Sequence, residues 1–161
     1  MSLTGNNNYF EDFNPGTIIR HPRGKTMCEN DNVGITLQVL NTAEAHFNED
    51  PDRNPFGRRL QFGGVTIAMI IGMTTQDTAE NAIRELSMDK IRLKTSVFHG
   101  DTLYAYSEVL ETTDVDANSG VVKFRHWGTN QKDEVVFEGE RQVLIKKRKI
   151  NKREIQNQDT Q

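Results

Sequence analysis

One short segment of the chain crowds together side chains that could carry acid–base chemistry. Residues 41–50 read NTAEAHFNED, and they follow VGITLQVL, an apolar run with helical spacing. His46 can move protons near neutral pH, because the unperturbed pKa of an imidazole lies close to neutrality. Asn41, five residues earlier, can orient a water molecule through its amide but cannot accept a proton. The segment therefore has groups that could hold and deprotonate a water molecule.

The role of His46 has a second interpretation, which the segment alone leaves open. A histidine can simply be favoured near the end of a helix, because the partial negative charge of a helix C-terminus stabilises an imidazolium. If a water molecule must be deprotonated, the base would be His46, Glu44 or Asp50. A glycine pair further along the chain favours the catalytic interpretation.

Gly63 and Gly64 open a second apolar run, VTIAMIIGM. The first N–H groups of a helix have no partner within it, and the partial positive charge of its N-terminus suits an oxyanion. Glycine also lets a ligand approach the backbone closely, where a side chain would block it. A tight turn or close helix–sheet packing would equally require glycine. Both uses can hold at once, and we favour an oxyanion site.

The elements that must position these residues begin with a predicted helix before residue 41. The residues Thr26 and Glu29 have the capping-box spacing that is typical of a helix N-terminus. Apolar residues then repeat at helical spacing toward Asn41, at Val33, Leu37 and Leu40. The pattern predicts that this helix ends where the polar segment begins.

The rest of the chain predicts one central helix and a long sheet. Residues 65–82 indicate a helix that is apolar nearly all round for two turns, and such a helix must be buried on every side. Alternation over residues 90–98 predicts a strand that carries Ile91, Leu93, Thr95 and Val97 on one face. Further strands are separated by turn signals at 99–101, 116–120 and 129–133, and an early strand can form over 17–26. An antiparallel sheet wrapped around an apolar helix is the α+β hot-dog architecture.

Composition limits the classes of protein to consider. The chain has 161 residues and a net charge of −3, which favours one domain and gives no reason to expect a nucleic-acid partner. Cys28 is the sole cysteine, so no internal disulfide forms, and a reducing compartment is favoured. The N-terminus has no signal-peptide pattern, and the longest apolar run is far shorter than the roughly 18 residues of a membrane span. We predict a cytoplasmic protein with a leader at 1–8, one domain at 9–148 and a polar tail at 149–161.

Three stretches carry a family resemblance. Residues 9–47, 56–73 and 97–111 together resemble the MaoC-like dehydratases, the (R)-specific enoyl-CoA hydratase family, in both order and spacing. The resemblance covers most of residues 9–148. It implies a homodimeric hot-dog enzyme that adds water to a coenzyme A thioester or removes it.

The resemblance also implies roles for individual residues. The family has an Asp and a His five residues apart; His46 matches the His, but Asn41 stands in the Asp position. The form Asn-Thr-x-x-x-His-Phe is similar to the mesaconyl-CoA hydratase and methylmalyl-CoA dehydratase branch. Gly63 matches the family's oxyanion-hole glycine, followed by Gly64. Phe62 stands where the family often has His, which indicates a different pocket shape.

Other charged residues could bind the substrate. The guanidinium groups of Arg53, Arg58 and Arg59 could meet the phosphates of coenzyme A, or they could be ordinary solvated loop charges. The histidines outside the segment have no neighbouring residue at a spacing that indicates a shared site. They are predicted to lie on the surface or on strand faces: His21, His99 and His126. We expect no metal and no redox cofactor, with coenzyme A entering as part of the substrate.

Three functions follow from these observations. The first is a hydro-lyase that acts on a short 2-enoyl-CoA or its 3-hydroxyacyl counterpart. The second is a hot-dog thioesterase in which a carboxylate activates water at the thioester carbon. The third is a non-catalytic acyl-CoA-binding protein, which Asn41 keeps open because it replaces the usual carboxylate.

Overall fold

Five strands form one antiparallel sheet, in the order β1-β3-β4-β5-β2, in a computed structural model that describes residues 8–149. The strands are β1 Ile18–Thr26, β2 Ala82–Leu93, β3 Thr102–Asp114, β4 Ser119–Thr129 and β5 Val135–Lys146. Each strand is antiparallel to its neighbours. The predicted leader 1–8 and tail 149–161 lie outside the described residues, apart from residues 8 and 149 themselves.

A central helix packs against this sheet. Within residues 8–149 the α-helices are α1 Ile35–Gln38 and α2 Gly63–Thr78. Ile70 of α2 is fully buried in a core that includes Val65, Leu103 and Phe137. A side chain at Gly128 in β4 would collide with that of Ile70, so this glycine makes room for the helix. The predicted α+β hot-dog architecture is confirmed.

The central helix is not covered on all sides, contrary to the prediction from its composition. Ile67 and Ile71 are half-buried against the core, whereas Ala68 and Gly72 on the other side are exposed. Small residues at these positions leave little apolar surface for solvent to contact, which is why the sheet needs to cover one side only. The burial of Ile70 nevertheless joins the helix to the sheet.

Truncation of Ile70 to alanine is expected to lower the free energy of unfolding by about 2–5 kcal/mol, because it removes buried methyl groups and leaves a cavity. Urea melts would measure the loss. Ile71→Ala, at a half-buried position of the same helix, is the matched control and should cost less. A loss of only a few tenths of a kcal/mol for Ile70→Ala would contradict the burial of this side chain.

The structure corrects the predicted helix before residue 41. Thr26 ends β1, and its hydroxyl lies 2.8 Å from that of Thr102, so it does not cap a helix with Glu29. A π-helical turn over Asn30–Gly34 leads into α1, and it turns Leu37 and Leu40 toward solvent. The extra residue in a π turn rotates the face that follows, which apolar spacing alone does not reveal. The buried side chains here are instead polar: Asn32 and Thr36.

The boundary between the central helix and β2 also differs from the one predicted. The helix ends at Thr78, not at 82, and β2 runs from Ala82 to Leu93, so the predicted strand positions Thr95 and Val97 lie beyond it. β2 is an edge strand whose pairing with β5 is interrupted at three places. These interruptions break the alternation that marks a strand in a sequence, because each one shifts the following side chains to the other face.

Two histidines predicted on the surface or on strand faces lie on strands, but they are buried. His21 in β1 and His126 in β4 face the core, whereas His99 is exposed. The Nδ1 atom of His21 donates to the carboxylate of Asp77 at 2.7 Å, so its Nε2 accepts from the hydroxyl of Ser107, also at 2.7 Å. The Ser107 oxygen in turn accepts from Nδ1 of His126 at 2.7 Å. A directional chain of hydrogen bonds therefore crosses the core.

Candidate active site

The residues singled out in the sequence meet at one cavity of about 570 Å³. It is lined by Asn41, His46, Phe62, Gly63 and Gly64, with residues 93–97 among the other lining residues. Three separate segments thus converge on one space: the loop after α1, the start of α2 and the end of β2. Asn41, His46 and the glycine pair therefore lie around the same space in the folded chain.

His46 lies in a 3₁₀ turn, Glu44–His46, and not on the end of a helix as predicted. Its Nδ1 atom lies 2.8 Å from the carbonyl oxygen of Leu60. A carbonyl can only accept, so Nδ1 carries the proton, and Nε2 of the neutral ring keeps its lone pair. The ring is 8% exposed and packs on that of Phe62, with centroids 5.5 Å apart. Nε2 has no hydrogen-bond partner among residues 8–149, so it is the nitrogen available to a ligand in the cavity.

The oxygen and the nitrogen of the Asn41 amide have different roles. The oxygen bonds to the backbone, whereas the nitrogen is free to bind a ligand in the cavity. Its Oδ1 accepts a hydrogen bond from the N–H of Ala43 at 3.0 Å, which closes a local turn. Its Nδ2 has no acceptor within the described part of the chain. The group that Asn41 offers to a ligand is therefore a donor, whereas an aspartate at this position would offer only an acceptor.

The start of α2 supplies backbone donors. Gly63 is the first residue of the helix, and no side chain of Phe62, its N-cap, caps the helix. The N–H groups of Gly63 and Gly64 have no acceptor among the described residues. A side chain at Gly63 would collide with Leu93, and one at Gly64 with the ring of Phe62. Glycine at both positions lets Leu93 and Phe62 pack against the backbone and leaves the two N–H groups accessible to a ligand.

The arginines predicted near the site do not line the cavity. Arg59 pairs with Glu29 at 2.6 Å and with Glu49 at 3.1 Å. The guanidinium of Arg58 lies 3.6 Å from the centroid of the Phe98 ring. Arg53 pairs with Glu44 at 3.0 Å. Each cation therefore has a partner in the fold, and these positions give no support to Arg58 and Arg59 as substrate ligands.

A buried side chain that the sequence did not mark ties the site together. The amide of Asn32 is 7% exposed and bonds to the backbone of both the His46 turn and the segment before Gly63. Its position within an apolar helical pattern gives no signal of this role, because all its site contacts lie 14 or more residues away in sequence.

Over residues 8–149, no group of three or more His, Cys, Asp or Glu side chains is placed to hold a metal ion. None of the helices in that range has the length and apolar character needed to cross a membrane.

Comparisons with known proteins identify the family of the chain. The sequence model of the mesaconyl-CoA hydratase family matches residues 3–147. The mesaconyl-CoA hydratase of Haloarcula marismortui is 33% identical over 153 residues, which is 86% of this chain and 42% of that protein. The β-methylmalyl-CoA dehydratase of Chloroflexus aurantiacus is 33% identical over 126 residues, covering 78% of this chain and 36% of that protein.

A solved structure extends the comparison to the fold. A MaoC domain protein from Chloroflexus aurantiacus superposes with a TM-score of 0.81 at 26% identity, over 91% of this chain and 46% of that one. The chain thus spans less than half the length of these three relatives. With the family's sequence model matched from residue 3 to residue 147, the chain belongs to the mesaconyl-CoA hydratase family.

Proposed function

We propose that the protein is a hydro-lyase that reversibly hydrates a short 2-enoyl-CoA thioester of the mesaconyl-CoA type. The observation that carries the proposal is the single cavity that combines a histidine with a free Nε2, a free amide donor and two free helix N-terminal N–H groups. The names of the matched relatives, a mesaconyl-CoA hydratase and a β-methylmalyl-CoA dehydratase, support the same reaction class. We place it in the cytoplasm, with no nucleic-acid or membrane partner.

The thioester oxygen would accept hydrogen bonds from the N–H groups of Gly63 and Gly64. As water adds to the β-carbon, negative charge moves onto this oxygen, and donors already in place stabilise it without reorganisation. The partial positive charge at the start of α2 acts in the same direction. The site thereby lowers the energy of the enolate form of the substrate.

The proton transfers would pass through His46 alone. Nε2 takes a proton from water while the water oxygen bonds to the β-carbon, and the resulting imidazolium then returns a proton to the α-carbon. Leu60 accepts from Nδ1 throughout, which keeps the ring oriented. The amide of Asn41 cannot exchange a proton with water, and its free Nδ2 would instead donate to the carboxylate that mesaconyl-CoA carries. The reaction as proposed uses no metal and no redox cofactor.

A screen over three substrates tests the reaction. Loss of the enoyl thioester absorbance would be followed with crotonyl-CoA, longer 2-enoyl-CoAs and mesaconyl-CoA, and release of free thiol would be followed in parallel. Hydration of mesaconyl-CoA without thiol release supports the proposal. Thiol release would identify a thioesterase, and tight binding without any conversion would identify a non-catalytic acyl-CoA-binding protein.

Asn41→Asp is expected to discriminate between substrates. The carboxylate keeps the bond from the Ala43 N–H but replaces the free donor with a charged acceptor. Hydration of mesaconyl-CoA, which carries its own carboxylate, should fall by roughly 10- to 100-fold, in keeping with loss of a hydrogen bond to a charged group. Crotonyl-CoA, which lacks that carboxylate, should lose much less.

Asn48→Asp is the matched control, because it adds the same charge to the same loop outside the cavity. It should leave the ratio of the two activities unchanged. An Asn41→Asp variant that keeps both activities in their original ratio would argue against a donor role for the amide.

We further propose that a second copy of the chain pairs at β2. This edge strand exposes apolar side chains that a partner would cover, namely Ile83, Leu86, Met88, Ile91 and Leu93. Leu93 also lines the cavity, so the partner would lie at its margin. The matched relatives are more than twice as long as the matched segment, and a second copy would supply the volume of their remaining half.

Sedimentation at micromolar concentration is expected to show a dimer or a dimer-based oligomer. Leu86→Lys, which places a charge on the exposed part of β2, should shift the equilibrium toward monomer. Ile18→Lys, at an exposed position on the opposite edge of the sheet, serves as the control and should not. A parent protein that sediments only as monomer would overturn the proposed pairing.

A further inference from the structure

Asn32 bridges the two segments that build the candidate site. Its Nδ2 donates to the carbonyl oxygen of His46 at 3.3 Å and to that of Leu60 at 3.4 Å. Its Oδ1 accepts from the N–H of Phe62 at 2.9 Å. The Asn32 side chain thus fixes three parts of the site relative to one another: the turn that ends at His46, the residue Leu60, and Phe62, which is the N-cap of α2.

The chemistry of the partners determines which way the amide faces. The N–H of Phe62 can only donate, and the two carbonyl groups can only accept, so the oxygen must face Phe62 and the nitrogen must face His46 and Leu60. Thr36 also donates to its oxygen at 3.3 Å, so both the oxygen and the nitrogen of this buried amide are engaged in hydrogen bonds. The geometry leaves no freedom for a flipped amide.

The carbonyl of Leu60 links Asn32 to the reacting ring. It is the same oxygen that accepts from Nδ1 of His46 at 2.8 Å, and that bond selects the Nδ1–H tautomer of the neutral ring. Asn32 helps to hold this carbonyl toward the ring, together with the Gln61 N–H of the same peptide, which donates to Val97 at 2.9 Å. Asn32 therefore acts on His46 through the acceptor that sets its tautomer.

The local backbone has an unusual form at this residue. Asn32 lies within the π-helical turn Asn30–Gly34, and such turns are rare and frequent at functional sites. This turn buries Asn32 and Thr36 beside the site, whereas regular apolar spacing would have buried Leu37. The turn places the amide within hydrogen-bond distance of Leu60 and Phe62, which line the cavity.

We infer that Asn32 is a positioning residue of this site: it holds His46 in the Nδ1–H tautomer and the N-terminus of α2 at a fixed distance from the ring. Its catalytic consequence rests on the proposed hydration. Its structural consequence, the tautomer of His46, does not. The two can therefore be measured separately.

The test compares Asn32→Asp with the parent protein. Aspartate keeps the bonds from Phe62 and Thr36 but loses both donor bonds, so it isolates the link to His46 and Leu60. Ring nitrogen chemical shifts from ¹⁵N-histidine NMR report the tautomer, with the His46 signals assigned by their loss in His46→Gln. We expect the Nδ1–H form to dominate in the parent and to lose population in the variant. We expect kcat to fall about 10- to 100-fold, as for a small misplacement of a reacting group, with KM close to that of the parent.

Asn130→Asp is the matched control. Asn130 is 4% exposed, and its Oδ1 accepts from the N–H groups of Lys132 and Glu134, while its Nδ2 donates to the Glu134 carboxylate. The substitution makes the same chemical change in the turn between β4 and β5, away from the cavity. It should lower stability without altering the tautomer of His46 or kcat.

A folded Asn32→Asp protein with the parental tautomer and kcat would overturn the inference and reduce Asn32 to a structural role. If the charged variant does not fold, Asn32→Ala removes the same donors without adding a charge and gives the same two readouts. If no enoyl-CoA is hydrated by the parent, the proposed function fails, and the NMR measurement alone decides whether Asn32 sets the tautomer.

Discussion

Replacement of His46 by alanine is expected to lower kcat for hydration by about 100- to 10,000-fold, the range that general acid–base groups usually contribute. Of the Asn41–His46 pair, only the imidazole can take a proton from water and return it to carbon, because an amide does not titrate. Binding of the acyl-CoA should survive, since the glycine N–H groups at the start of α2 are untouched. Steady-state kinetics and a separate binding measurement check both halves of the expectation.

Two companion variants isolate the cause. His46→Gln retains a side-chain amide that can donate to Leu60, so an equally inactive protein would assign the loss to proton transfer and not to the missing bond. His99→Ala removes an exposed histidine outside the cavity and should change nothing. An unchanged kcat in His46→Ala on the best substrate would reject the assignment of this residue.

Acid is expected to destabilise the fold through a second histidine, far from this chemistry. Burial, with smaller contributions from the charges of Arg141 and His21, lowers the pKa of His126 from 6.5 to about 3. The unfolded chain binds a proton there below pH 6.5, whereas the folded chain does not until about pH 3. The contribution of His126 to the free energy of unfolding is therefore fully present above pH 6.5. It is lost as the pH falls from 6.5 to about 3. The loss amounts to roughly 5 kcal/mol, at about 1.4 kcal/mol for each pH unit between the two pKa values.

Urea melts across this pH range measure the slope. His126→Gln can keep a hydrogen bond to Ser107 but cannot titrate, so its free energy of unfolding should be lower at neutral pH and should fall less steeply in acid. Burial also lowers the pKa of His21, against the opposing effect of Asp77, so part of the slope should remain. His99→Gln, at an exposed position, is the control. A His126→Gln slope equal to that of the parent would contradict the expectation.

The sequence predicted those parts of the site that depend on short-range signals. Asn41 and His46 are five residues apart, and Gly63 directly precedes an apolar run, so local spacing was enough to mark both. That they meet at one cavity followed from the hot-dog architecture and the family resemblance. The strands β3, β4 and β5 were predictable because clear turn signals separate them.

The features that sequence reasoning missed depend on contacts between distant residues. Asn32 meets Phe62 across 30 residues, and His21 meets Ser107 across 86. A polar residue in a helical pattern or in a strand shows no sign of such a partner. The start of β2 was missed for a different reason, because interruptions in its pairing with β5 break the alternation on which strand prediction depends.

The hydrogen-bond chain through the core has a consequence for strand alignment. The pairing of β1 with β3 shifts register between Arg20 and Gly24, where Pro22 has no N–H to donate, so the backbone ladder specifies the alignment of this edge strand weakly. A slip of one residue would turn His21 to the opposite face of the sheet. Asp77 and Ser107 would then lose their bonds to it, at a cost of about 1–3 kcal/mol for each buried group left without a partner. The buried histidine thus selects one alignment of β1 where the ladder itself does not.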